Sequence, residues 1–169
     1  MKRKWYLLIG LCLFAANAVA QQNATWAKWE WLMGEWKGEG SGQPGQGSGT
    51  FSFKVDLDKK ILVRKAHSEY PSKDGQQPTI HDDLLIVYPD FSGNPSKAIY
   101  FDNEGHTINY AISYSEKSIV LISDPIPNVP TFRLTYILLE NNMVNTTFEM
   151  SQDGKKFMMY VEGKSKKVK

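Results

Sequence analysis

The chain has 169 residues, 20 basic side chains against 18 acidic ones, a formal charge of +2 and a hydrophobic fraction of 41%. That length suits one domain with a sizeable core, and no patch in the body of the chain has the basic clustering of a nucleic-acid footprint. Cys12 is the only cysteine, so no internal disulfide can form and thiol chemistry is not expected.

The N-terminus reads as a secretory signal peptide. Lys2, Arg3 and Lys4 precede a short apolar stretch over 7–16, and Ala18-Val19-Ala20 form a small-residue cleavage site before Gln21. The expected organisation is a leader at 1–20 and a single domain at 21–169, exported to the periplasm or secreted after cleavage following Ala20. The apolar stretch is too short to span a bilayer, so no membrane span is expected. Leu11 stands before Cys12, where a lipid-anchored precursor needs a small residue, so lipid attachment is not expected either. Removing Lys2, Arg3 and Lys4 reduces the 20 basic residues to 17 against 18 acidic ones, a mature charge of −1. The basic 164–169 tail reads as a solvated terminus.

Trp26, Trp29, Trp31 and Trp36 fall within eleven residues, and seven of the 13 glycines lie between Gly34 and Gly49. Residues 24–33 read as a short amphipathic helix or turn, with Trp26, Trp29 and Leu32 or Met33 at helical spacing. Bulky aromatics running into easily bent backbone suit the closed end and first strand of a small barrel.

Beyond Gly34 the hydrophobic period becomes 2. Phe51, Phe53, Val55 and Leu57 alternate with polar residues, as do Leu84, Ile86 and Tyr88. His106, Ile108, Tyr110, Ile112 and Tyr114 form a third such row, and Phe132, Leu134, Tyr136 and Leu138 a fourth. Each row predicts a half-buried strand whose alternating face meets a common core. Asp58-Lys59, Asn103-Glu104-Gly105, Glu116-Lys117, Asn141-Asn142 and Asp153-Gly154 supply turn chemistry between them. Ten strands are predicted near 34–42, 49–57, 60–69, 79–88, 97–103, 106–115, 117–123, 131–139, 143–150 and 155–164. No helical pattern is long enough for a parallel crossover. The predicted fold is all-β, an up-and-down antiparallel β-barrel of about ten strands with a short N-terminal helix.

The Gly34-Glu35-Trp36 string resembles the Gly-x-Trp signature that opens lipocalins and fatty-acid-binding proteins. The fuller string Leu32-Met33-Gly34-Glu35-Trp36-Lys37-Gly38-Glu39-Gly40 is similar to the opening of nitrobindin-type barrels and of a related family of exported bacterial calycin-like domains of unknown function. Weaker similarity extends through Tyr100-Phe101-Asp102-Asn103-Glu104-Gly105-His106 and Phe132-Arg133-Leu134-Thr135-Tyr136. The resemblance implies a calycin-like barrel of roughly ten strands with Trp36 anchoring the first. Nitrobindin-type proteins bind haem through a histidine near the C-terminus. This chain has no histidine after His106, and Gln43-Pro44 replaces the family's Tyr-Pro, so no haem or other cofactor is expected. The lipocalin pattern implies a cation from the last strand against Trp36, and Lys164 and Lys166 are the residues available for it.

The Gly38-Glu39-Gly40-Ser41-Gly42 string is not a phosphate loop, because a strand follows where a helix is required. It reads as a sharp bend at the barrel corner. The arginines of the mature chain are Arg64 and Arg133. Arg64 shares its face with Leu62 and Ala66 and is predicted to point inward. Arg133 alternates against Phe132 and Leu134 and is predicted to point outward. His81 and Asp83 share a strand face at a spacing a metal pair can use, but two ligands make no site, and no metal is expected. Asp82 and Asp83 point to opposite faces, which argues against joint acid–base work. Tyr88, Tyr110, Tyr114 and Tyr136 lie on the apolar rows and can present hydroxyls to a ligand.

The leading functional expectation is a barrel enclosing a small, largely apolar ligand. Arg64, Tyr110 and Tyr136 are its polar handles, His106 sits at its mouth and Trp36 anchors its closed end. No catalytic residue is assigned. Two alternatives stand beside it. One is an envelope interaction module docking through Trp26, Trp29 and Trp31; the other, less supported, is a hydrolase or isomerase using His67 or His106 as base. Ligand identity and oligomeric state are left open.

Overall fold

The computed structural model describes residues 26–38, 40, 48–71 and 77–168. The leader at 1–20 and the glycine segment 41–47 lie outside the described residues. Ten strands follow in order: β1 (Gly34–Gly38), β2 (Ser48–Asp56), β3 (Ile61–Tyr70), β4 (Thr79–Tyr88), β5 (Lys97–Asp102), β6 (Thr107–Tyr114), β7 (Ser118–Ser123), β8 (Thr131–Leu138), β9 (Met143–Ser151) and β10 (Met158–Lys167). Each pairs antiparallel with its neighbours in sequence, and β1 pairs with β10 to close the barrel. The up-and-down meander expected from the alternation is therefore the fold, although the short β1 pairs with β10 only over Ser165–Lys167. No helix among the described residues is long and apolar enough to cross a membrane.

The expected N-terminal helix is reduced to one 3₁₀ turn, Ala27–Trp29. Indole anchoring explains its shortness. Trp26 Nε1 donates to the Lys59 carbonyl (2.9 Å), Trp29 Nε1 to the Tyr114 hydroxyl (2.8 Å) and Trp36 Nε1 to the Leu32 carbonyl (2.8 Å). These bonds hold the segment across the barrel end formed by the β2–β3 and β6–β7 turns. Trp26, Trp29 and Leu32 are buried there against the barrel's own side chains. Trp26 and Trp29 thus plug the barrel end, while Trp31, the third indole of the docking alternative, is partly buried beside them.

The face of β4 is the reverse of the one expected. Leu85 and Val87 are fully buried, whereas Leu84, Ile86 and Tyr88 alternate with them and face outward. The run 84–87 is apolar at every position, so hydrophobicity alone does not choose a face. Pairing does, by setting Leu85 opposite Arg64 and Tyr100. The faces expected for β2, β6 and β8 hold, although Val55 and Leu57 overhang the β2–β3 turn and are exposed. That turn places Leu57, Asp58 and Lys59 all at positive φ.

The last strand starts at Met158 rather than near 155 and runs to Lys167. Asp153 delays it. Its Oδ1 accepts from the Lys155 and Lys156 backbone N–H groups and from the Ser151 hydroxyl, which holds the chain in a turn. A bulge between Met159 and Val161 then shifts the register.

Packing is uneven along the barrel axis. At the plugged end, Trp29, Trp36, Phe53, Leu62, Tyr136 and Val144 are almost wholly buried and the interior is filled. At the opposite end Ile108, Phe132 and Phe148 are only partly buried. There the inward positions Met158 and Val161, with Tyr160 at the bulge, are exposed.

Candidate functional site

Cross-strand pairing carries an inward row around the barrel, from the filled aromatic end toward the mouth. Phe53 faces Arg64, Arg64 faces Leu85, Leu85 faces Tyr100, and Tyr100 faces Ile108. On the other wall Leu134 faces Phe148, and Tyr136 faces Thr146, which faces Gly163. Parity is preserved through these pairs, so all of these residues point into the lumen.

Arg64 is the central charge. Its guanidinium is ion-paired to Asp83, and the two side chains are only 11% and 6% exposed. Burial opposes the Arg64 charge, but the Asp83 carboxylate and the surrounding phenols outweigh it and hold the pKa above its ordinary value. The guanidinium also lies 5.5 Å over the Phe51 ring. Burial pushes the phenols of Tyr100 and Tyr110 upward and that of Tyr136 up to about 12. Each therefore stays a neutral hydroxyl at physiological pH.

Three buried polar atoms around this charge have no hydrogen-bond partner among the described residues: Arg64 Nε, the Tyr136 hydroxyl and Thr146 Oγ1. Most buried polar atoms are paired, because leaving one bare costs about 1–3 kcal/mol. Beside them, a Cβ built on inward-facing Gly163 would meet nothing within 4 Å. Gly163 thus leaves room next to its cross-strand partner Thr146, while Arg64 Nε and the Tyr136 hydroxyl lie enclosed in the packed interior.

The mouth has two unlike sides. On β4–β6, His81 Nε2 is 2.9 Å from the Tyr100 hydroxyl, which lies 3.3 Å from Asp102 Oδ2. Asp102 is 4% exposed and 2.9 Å from His106 Nδ1. Burial raises the Asp102 carboxyl, but hydrogen bonds from the His106 backbone and ring prevail and bring it below the usual range. His81 Nδ1 meets Glu104 at 3.0 Å. On β8–β10 the mouth is apolar: Phe132 stacks on Phe148, and Tyr160 packs edge-on against Phe148.

Of the residues expected to bind ligand, Arg64, Tyr110 and Tyr136 converge in the lumen. His106 stands at the rim with its side chain 63% exposed. Trp36 belongs to the filled end, stacked on Phe51. The cation against Trp36 is neither Lys164 nor Lys166 but Lys167, whose Nζ lies 5.4 Å from the ring. The late start of β10 explains the change, because the register sets Trp36 opposite Lys167. Arg133 faces outward as expected and forms a two-pronged pair with Glu149 at 2.7 Å. Asp83, Tyr100, Asp102, Thr146 and Gly163 belong to the site but were not among the expected ligand residues. Only Asp83, two from His81, had a sequence signal. No group of histidine, cysteine and carboxylate side chains among the described residues is arranged to hold a metal ion.

A cleft of about 720 Å³ shares Asp83 and Asp102 with this site but reaches none of Arg64, Tyr136, Thr146 or Gly163. It is lined by consecutive triplets, among them Thr50-Phe51-Ser52, Lys65-Ala66-His67 and Phe101-Asp102-Asn103. In each triplet the middle residue points inward and its two neighbours outward, so the cleft is a trough on the outer wall. His67 and Asp82 pair within it at 2.7 Å, each about half exposed. His67 is therefore on the outside of the wall, and His106 is at the rim.

No protein-family model matches the chain, and no curated protein matches it. Among solved structures it is similar to the crystal structure of Rv2717c from M. tuberculosis. The TM-score is 0.55 at 11% identity, over 85% of this chain and 98% of that one. At that identity the likeness shows a shared fold: the chain is a closed antiparallel barrel of a kind known from a solved structure.

Proposed function

We propose that this chain is an exported, calycin-like barrel that binds a small, largely apolar ligand in the open half of its lumen. The observation that carries the reading is the group of unpartnered buried atoms, Arg64 Nε, Tyr136 OH and Thr146 Oγ1, together with the room at Gly163 opposite Thr146. A ligand body would pack on Leu134, Phe148 and Phe132, and its polar end would meet those donors. Export rests on the leader sequence at 1–20. The reading needs no haem: His67 faces outward, both ring nitrogens of His81 are engaged, and His106 stands at the rim.

Native mass spectrometry of protein purified without denaturation, with a thermal-shift screen of small apolar compounds, tests the reading. Wild type is expected to gain thermal stability with a subset of ligands. Gly163→Leu, which fills the space, is expected to fold and lose that response. An unchanged response in Gly163→Leu removes the lumen as the site.

A further inference from the structure

The lumen's charge balance bears on what kind of ligand it accepts. Arg64 is the cation at its centre, and its guanidinium is already matched by Asp83. Asp83 itself faces a second buried carboxylate, Asp102, across β4–β5. Resting on the lumen-binding reading, we propose that the site selects an uncharged ligand bearing a hydrogen-bond acceptor, such as a ketone, ester or amide oxygen, and rejects carboxylates.

The donors left over point to this chemistry. Arg64 Nε–H, the Tyr136 hydroxyl and the Thr146 hydroxyl can all donate, and none has a partner among the described residues. A neutral oxygen accepts from them with the Arg64–Asp83 pair intact. An anion can accept from the same donors, but the single Arg64 charge is already matched by Asp83, so the anion is buried without a counter-ion of its own, an arrangement that strongly disfavours binding. It also brings a third negative group toward Asp83 and Asp102. Lys167 offers no relief, because it lies at the plugged end over Trp36.

The test uses matched pairs of a carboxylic acid and a methyl ketone with straight, branched or aromatic bodies, titrated near neutral pH and followed by intrinsic tryptophan fluorescence. The ketone is expected to bind at least about tenfold more tightly than its acid, because the acid buries a negative charge with no free counter-ion beside Asp83 and Asp102. Asp83→Asn frees Arg64 and is expected to reverse the order. Should that variant fail to fold, Tyr136→Phe supplies the second measurement: it is expected to weaken the ketone, and an unchanged ketone affinity overturns the donor role. An acid that binds wild type as tightly as its ketone overturns the selectivity and leaves lumen binding standing. Binding by no member of any pair removes both.

Discussion

The Lys167 ammonium lies 5.4 Å from the centre of the Trp36 ring, and the two residues face each other across the seam where the last strand meets the first. Lys167 Nζ also donates to the Trp31 carbonyl at 3.4 Å. One side chain thus ties the end of the chain to both the first strand and the aromatic plug. Lys167→Met is expected to lower stability by about 1 kcal/mol, the worth of a partly desolvated cation–π contact, while Lys167→Arg retains most of it. Thermal melts of the two variants check this; equal losses in both rule out the charge as the cause.

Trp29 is fully buried, bonded to the Tyr114 hydroxyl and packed on Phe53. Trp29→Ala is expected to cost about 3–5 kcal/mol, as for other large buried aromatics. Urea denaturation provides the number. A cost below about 1 kcal/mol would mean the plug contributes little to the barrel.

Two glycines make an internal control. A Cβ at Gly49 would sit 2.4 Å from the His67 carbonyl oxygen, whereas one at Gly163 meets nothing within 4 Å. Gly49→Ala must push β2 from β3 and is expected to lose about 1–3 kcal/mol. Gly163→Ala is expected to be near neutral. Equal melting temperatures for the two variants would contradict the close approach at Gly49.

Tyr136 carries a buried hydroxyl with no partner among the described residues. Tyr136→Phe is expected to leave the unliganded protein as stable as wild type or up to about 1 kcal/mol more so, since an unpaired hydroxyl is removed. A clear loss of unliganded stability would show that the hydroxyl is satisfied in solution.

Acid should destabilise the barrel through identifiable carboxylates. Hydrogen bonds from His106 hold Asp102 below its usual range against the pull of burial, and Arg133 does the same for Glu149. Because their folded pKa values are depressed, their stabilisation is fully present above the unfolded carboxylate range of about pH 4 and is lost as pH falls through the folded values. Melting temperature measured from neutral pH down to about pH 2 is expected to fall most below about pH 4, with a shallower fall in Asp102→Asn. An identical profile in that variant would remove Asp102 from the account.

The sequence by itself determined the all-β class, the number of strands, their order and the inward faces of β2, β6 and β8. Each rests on local alternation and turn residues, which act over a few positions. It also placed Arg64 inward and Arg133 outward by parity. Tertiary structure decided what local pattern leaves undetermined. The apolar run at 84–87 has no polar face to give away its orientation, so only pairing with β3 and β5 turns Leu85 inward and Leu84 outward. The Asp153 turn and the bulge after Met159 moved the register of β10, replacing Lys164 and Lys166 by Lys167 at Trp36. The site itself needed closure of the barrel. Arg64, Asp83, Tyr136, Thr146 and Gly163 lie on five different strands or strand positions far apart in sequence, and no periodicity within one strand reports which side chains meet across the lumen.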